Sequence, residues 1–379
     1  MAQRRWPKVE YREEAMREGM QIEDANIPVE DKVALIEALA ETGLKTIVIG
    51  SFVSPRYTPQ MARIEEVVSR LKPPPPGVKY TALVAPGRYQ EQARKYSPPL
   101  TLEREVISTS CHLCDVFVRR NWNRTQEDEI NQWPQVVARA QEAGVKQAGI
   151  GLGAAWGSNF VGEFTQEHRM AMLERQYRLW EQAGIPVTHV SLADPMSWCR
   201  PDVVEAQLWA IKERWPSITT FYLHLHNARG MALPSAYAAL RVLDPDRDTL
   251  AIDGTLGGVG GCPYCGNGRA TGQMPTEDVM HMLQDMGIDM GVDLDKLVEC
   301  VWMLEEVIGR PTLGHVSKAG PRPTKERLYD PNAPFIETFE QAKHFLKGPR
   351  VYEGGVYPWR EPIRSPMRPD TMAPGQPQR

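Results

Sequence analysis

Six cysteines in 379 residues are too few and too scattered for a disulfide scaffold, which points to a reducing compartment. No window approaches the roughly 18 uninterrupted apolar residues of a membrane span. The opening Met1-Ala2-Gln3-Arg4-Arg5-Trp6-Pro7 leads into charge rather than an apolar signal core, so a cytoplasmic protein is expected. Positive charge is not in excess either: 44 Lys and Arg stand against 48 Asp and Glu, a net charge of −4. Such a chain has no surplus cation for a nucleic-acid backbone or an anionic membrane, and the expected partner is a small molecule. Also missing is the glycine-rich phosphate turn that an open dinucleotide-binding sheet carries after its first strand. What remains is an ordinary globular mix, 42% apolar and 24% charged, long enough to bury a large core.

From about residue 9 to residue 310, short apolar runs alternate with longer stretches of helical period. The runs are Thr46–Gly50, Tyr80–Val84, Glu105–Thr109, Gln147–Gly151, Val187–Leu192, Phe221–His224 and Thr249–Asp253, with an opening strand near Val9–Glu14. Between them lie amphipathic segments at Pro28–Thr42, Gln60–Leu71, Arg124–Ala143, Gln166–Ala183, Asp202–Arg214 and Met231–Leu243, several closed by Gly or Pro. Eight strand–helix units over about 250–300 residues predict an α/β fold, a (β/α)₈ TIM barrel rather than an open sheet. Pro73-Pro74-Pro75-Pro76-Gly77 reads as a stiff connector between a helix and a strand. The barrel is assigned to residues 1–310 and an irregular C-terminal extension to 311–379. That extension runs through Val356-Tyr357-Pro358-Trp359 to Pro374–Arg379, and is expected to wrap the barrel or a neighbouring subunit of a homo-oligomer and to fray at its end.

His224-Leu225-His226-Asn227 ends the seventh expected strand. Side chains two apart on a strand share a face, so both imidazoles can turn into the barrel mouth and take one divalent ion. That C-terminal rim is where barrels carry catalytic residues. Two histidines satisfied by hydrogen bonds are the alternative. After the eighth strand, Gly257-Gly258-Val259-Gly260-Gly261-Cys262-Pro263-Tyr264-Cys265-Gly266-Asn267-Gly268 forms a loop that can move and approach a ligand closely, with Cys262 able to enter the site as an acid or base. A plain flexible loop, or a Cys-x-x-Cys metal or redox pair, would use the same residues. Cys111-His112-Leu113-Cys114 is a second such pair, but it follows the fourth strand, expected on the opposite side of the barrel from Cys262 and Cys265. Near the N-terminus, Arg17-Glu18-Gly19-Met20-Gln21 follows the first strand. Its carboxylate can complete a metal shell and its arginine can hold a developing enolate oxygen, although such a string is also an ordinary solvated turn.

In this order the pieces resemble the 3-hydroxy-3-methylglutaryl-CoA lyase family of DRE-TIM metallolyases. Gly50-Ser51-Phe52-Val53-Ser54-Pro55-Arg56-Tyr57-Thr58-Pro59-Gln60-Met61 is similar to the family's second-strand signature. Gly257 to Tyr264 resembles its glycine-rich cysteine loop, and Thr276-Glu277-Asp278 the helix start that follows. The resemblance implies that Arg17 stabilises the enolate, that His224 and His226 bind metal with His224 also relaying a proton, and that Cys262 is the loop acid. It further implies that Asp194, which by itself before Pro195 reads as a turn residue, helps organise the site. Glu18 stands where the family has a metal-binding aspartate, and Gln273 where it has an asparagine ligand, so both ligands are lengthened together. Val48 replaces a family glutamate and Asp24 a lysine placed to meet CoA phosphates.

The implied activity is a carbon–carbon lyase dependent on a divalent metal (Mg, Mn or Zn), cleaving a 3-hydroxy acid or 3-hydroxyacyl-CoA by a retro-Claisen step. The alternatives are a condensing enzyme of the same superfamily, joining an acyl-CoA to a keto acid, and a non-catalytic barrel that binds a metabolite. His112 and Cys114 add groups that would face a changed substrate. Arg119, Arg120, Asn121 and Arg124 read either as a binder of its carboxylate or phosphate or as a charged helix start.

Overall fold

The computed structural model describes residues 4–102, 106–262, 264–265, 272–324 and Leu328. Contacts divide the chain into two units, residues 1–314 and 315–379. The first opens with β1 (Lys8–Glu13), α1 (Val29–Ala40), β2 (Thr46–Phe52), α2 (Ile64–Arg70), β3 (Lys79–Val84) and α3 (Arg88–Arg94). It continues with β4 (Ile107–Ser108), β5 (Cys111–His112), α4 (Asp115–Trp122), α5 (Gln126–Glu142), β6 (Ala148–Gly153) and the two-stranded ribbon β7 (Gly157–Ser158) and β8 (Gly162–Glu163). Then come α6 (Gln166–Gln182), β9 (Val187–Asp194), α7 (Pro201–Arg214), β10 (Thr220–Leu225), α8 (Ala232–Val242), β11 (Thr249–Gly254), α9 (Thr276–Asp285) and α10 (Leu294–Ile308). In the second unit α11 covers Val316–Ala319. Val356–Trp359, Pro374–Arg379, Glu105 and Gly266 to Gly268 lie outside the described residues.

The main sheet is parallel, in the order β3-β2-β1-β11-β10-β9-β6-β4, and β5 extends the β4 position along β6. Consecutive strands are joined through helices, and the fold is the expected (β/α)₈ TIM barrel. Alternation along β10 sorts the side chains: Phe221, Leu223 and Leu225 are fully buried, whereas Tyr222 and His224 share the other face. Local signals place the helices. Thr125 and Asp128 close a capping box at the start of α5, and Gly309, in the left-handed region at φ 68°, ends α10. Two elements were not evident from periodicity, α4 and the β7–β8 ribbon. Arg119 and Arg120 sit in the last turn of α4 rather than at a helix start, where cations suit the helix dipole.

Glu13 fastens the barrel's first strand to its last. Its buried Oε1 accepts the N–H groups of Ala15 at 2.7 Å and Leu256 at 3.0 Å, and its Oε2 accepts the Thr276 hydroxyl, which in turn bonds Tyr11 at 2.7 Å. Burial lifts its pKa from 4.5 to about 7 against those hydrogen bonds. The folded protein therefore keeps a proton that the unfolded chain has lost, so the stabilisation is full below 4.5 and is lost as pH rises through about 7. Glu13→Gln keeps an acceptor without the charge. Urea unfolding at pH 5 and pH 8 is expected to show the wild type losing about 2 kcal/mol more than the variant over that interval.

Candidate active site

The face of β10 that carries Tyr222 and His224 continues past the strand end to His226, and all three line a cavity of about 210 Å³ at the C-terminal rim. Arg17 and Glu18, from the turn after β1, line it from one side and Cys262 from the loop after β11. One ligand atom each from Glu18, His224 and His226 lies within 4.8 Å of the others. Glu18 Oε1 is 3.5 Å from His226 Nε2. Gln273 pairs with His226 in an isolated antiparallel bridge, and its Nε2 stands 3.3 Å from His224 Nδ1. The buried Oε1 of Gln273 has no hydrogen-bond partner among the described residues. An acceptor buried without a partner is costly, and a cation held by the neighbouring triad would satisfy it. Two imidazoles, a carboxylate and an amide oxygen are a donor set that fits a divalent first-row ion or magnesium.

The charges around this group hold one another. Burial opposes a charge on Asp253, at the end of β11, but Arg12 and His224 keep its carboxyl below the usual range. Asp253 accepts the Arg12 guanidinium at 2.9 and 3.3 Å, the Tyr222 hydroxyl, and His224 Nδ1 at 2.8 Å. That carboxylate fixes the proton on Nδ1 and leaves Nε2 to the cavity. Burial also works against a charge on His224, yet Asp253, Glu18 and Glu14 outweigh it and raise its pKa. Glu18 is lowered in spite of burial by Arg17, His226 and His224. Arg17 pairs with Glu18 through Nη1, which is also 3.7 Å from Glu14, while its Nε has no partner among the described residues. Burial pushes Glu14 up to about 7 although Arg17 pulls the other way.

Cys262 is 8% exposed, so the thiol forms part of the cavity wall rather than the tip of an open loop. Beneath it the Cys265 thiol donates to the Pro195 carbonyl at 3.1 Å, and its pKa is raised by the hydrogen bond with Cys262 and by burial. Both pack with Cys114, Phe117, Ala154 and Met196 in one apolar cluster. Cys114 thus meets Cys262 and Cys265, which corrects the expected separation of the two Cys-x-x-Cys pairs, although Cys111 lies in the main core. The loop after β11 reaches across the rim, where Tyr264 O accepts Arg120 Nε at 3.1 Å and Cys265 O accepts Asn159 Nδ2 at 3.0 Å. Among the described residues the cysteines do not form a ligand cluster. Asp194 stays out of the cavity: its carboxylate accepts the N–H groups of Trp198 at 2.9 Å and Cys199 at 2.7 Å, shaping the turn after β9. Of the basic group near α4, Arg119 pairs with Asp115 at 3.0 Å and Arg124 donates to Gln132 at 3.2 Å, leaving Asn121 as its cavity-lining member.

Sequence reasoning missed Glu14, Arg12, Tyr222 and Asp253. The available signal for Asp253 was a carboxylate ending the otherwise apolar run Thr249–Asp253. Arg12 and Tyr222 carried none, since their role arises only when β1, β10 and β11 lie side by side.

Comparison with known proteins bears on the family and the fold. The HMGL-like family matches residues 8–303. The (R)-citramalyl-CoA lyase of Chloroflexus aurantiacus is 32% identical over 316 residues, spanning 81% of this chain and 93% of its own. The hydroxymethylglutaryl-CoA lyase of Pseudomonas mevalonii is 32% identical over 283 residues, 75% of this chain and 87% of its own. Among solved structures, hydroxymethylglutaryl-CoA lyase from Pseudomonas aeruginosa superposes with a TM-score of 0.65 at 26% identity, covering 84% of this chain and 98% of that one.

Asp253→Asn tests the charge network. In metal-stripped protein the NMR titration of His224 should move to lower pH, because its Nδ1 proton loses an anionic acceptor while its burial is unchanged.

Proposed function

The chain belongs to the HMGL-like family and is a lyase, and on that footing we propose that it cleaves a 3-hydroxyacyl thioester of CoA between C2 and C3 with the help of a divalent metal. The observation that supports this most directly is the convergence of Glu18, His224 and His226 beside the unpartnered Oε1 of Gln273. These four residues would hold the ion. When bound there, a divalent cation supplies Lewis-acid polarisation of the substrate's hydroxyl and carbonyl oxygens.

The chain's own groups carry the protons and the charge. Asp253 holds the Nδ1 proton of His224 and leaves Nε2 as its one available lone pair, so His224 takes the hydroxyl proton only while that nitrogen is off the ion, which Glu18, His226 and Gln273 would then keep. As the C2–C3 bond breaks, its electron pair passes to C2 and the thioester oxygen gains negative charge, while the former hydroxyl carbon becomes a carbonyl. The Arg17 guanidinium, charged and lining the cavity, offsets that enolate charge. The Cys262 thiol delivers a proton to C2, releasing the shortened thioester, and regains one from His224 or water. The low exposure of the thiol keeps bulk water from competing at that position.

The test is metal analysis together with release of acetyl-CoA from a panel of 3-hydroxyacyl-CoA thioesters, before and after chelation. Cleavage of at least one thioester, lost on chelation and restored by Mg, Mn or Zn, is the expected outcome. His226→Ala should empty the metal site, and full occupancy in that variant would remove His226 from the ligand set. Cys262→Ser should keep the metal and lower turnover by about 100-fold or more; unchanged turnover would take the thiol out of the reaction.

A further inference from the structure

One wall of the cavity is not used by that reaction. His112, on β5, faces it from three strands round the barrel from His224 on β10. The imidazole Nδ1 lies 2.9 and 3.2 Å from the two carboxylate oxygens of Glu129 on α5, and the same carboxylate accepts the His112 backbone N–H at 2.9 Å. Glu129 has 9% of its side chain exposed and His112 20%, so the carboxylate is the buried partner and the ring is the one that meets the cavity. The ring lies against Gly153, where an added Cβ would come within 2.1 Å of Cδ2 and 2.6 Å of Nε2. Gly153 therefore makes the space the imidazole occupies.

The backbone here does not need that ring. Gln126 Nε2 donates to the His112 carbonyl at 2.6 Å and Trp133 Nε1 to the Ser110 carbonyl at 2.8 Å, so β5 is tied to α5 without it. A carboxylate on Nδ1 assigns the ring proton to that nitrogen. Nε2, which has no partner among the described residues, is then an acceptor at the cavity wall. An acceptor calls for a donor. A substrate carboxylate offers only lone pairs, whereas a hydroxyl offers the matching O–H. The cavity-lining guanidinium of Arg17 is already shared by Glu18 and Glu14 and is taken up by the enolate in the reaction above.

We propose that His112, held by Glu129, is a specificity-determining residue that selects thioesters carrying a further hydroxyl on the half released as the aldehyde or ketone. This rests on the lyase reading above. Asn121, on the same wall, offers an amide that can donate to the oxygen of that hydroxyl.

The test compares 3-hydroxybutyryl-CoA, 3,4-dihydroxybutyryl-CoA and a thioester bearing a carboxylate in place of the second hydroxyl. The dihydroxy thioester is expected to have the lowest KM. His112→Ala should raise that KM by about tenfold or more, the usual loss for one buried hydrogen bond, and leave the KM for 3-hydroxybutyryl-CoA within about twofold. His112→Gln, which restores an acceptor, should recover part of the loss, and Glu129→Gln should weaken the preference. Equal loss on all three thioesters, or a preference for the carboxylate one, would overturn the proposal. A second readout needs no turnover: in ¹⁵N NMR, hydroxyacetone but not acetone should shift an unprotonated His112 Nε2 resonance. If no thioester is cleaved yet hydroxyacetone shifts that resonance, the lyase reading fails and the assignment of His112 stands. A protonated Nε2, or equal shifts with both ketones, refutes the assignment whatever the enzyme cleaves.

Discussion

The site depends on one buried anion. Asp253 has no solvent to stabilise its charge, and it stays ionised because three neighbours turn donors toward it: the Arg12 guanidinium, the Tyr222 hydroxyl and His224 Nδ1. Each donor comes from a different direction on adjacent parallel strands, so the carboxylate is satisfied only when β1, β10 and β11 are in register. A buried charge left without partners would be expensive enough to reverse folding locally. The same contact that pays for burying Asp253 also orients His224 and sets which of its nitrogens faces the cavity.

Around that anion the protein alternates signs instead of accumulating one. Glu14 and Glu18 flank Arg17; His226 faces Glu18; His224 lies between Asp253 and the Glu18 side. Charges so arranged in a site of low dielectric are sensitive to each other's protonation. Glu18 and Gln273, proposed above as ligands, fit this arrangement as a pair. Gln273 is tied to His226 through the backbone, and Glu18 to Arg17, so the reach of each side chain is set by a fixed partner.

The opposite wall repeats the device of a carboxylate behind an imidazole, with His112 on Glu129 answering His224 on Asp253. The two pairs differ in what surrounds them. His224 stands among ligand atoms and the guanidinium of Arg17, which suits proton transfer and cation binding. His112 stands beside Phe117 and Gly153, with its ring centroid 5.5 Å from that of Phe117, which suits recognition of a polar group against an apolar surface. Cys114 and Cys265 pack behind Cys262, which alone of the three lines the cavity.

Local signals in the chain determined a good deal. Period-two and helical patterning predicted eight strand–helix units, and the His-x-His spacing put two imidazoles on one face at the end of β10, because these properties depend on neighbours a few residues away. Arg17, Glu18, Cys262 and Gln273 were legible only through resemblance, since their strings have equally good readings as turns and loops. Tertiary structure alone decided that Arg12, Tyr222 and Asp253 form one unit and that Cys114 packs with Cys262 and Cys265. Barrel closure brings together residues more than 200 positions apart, such as Arg12 and Asp253, and no local pattern encodes which donor will meet which buried acceptor.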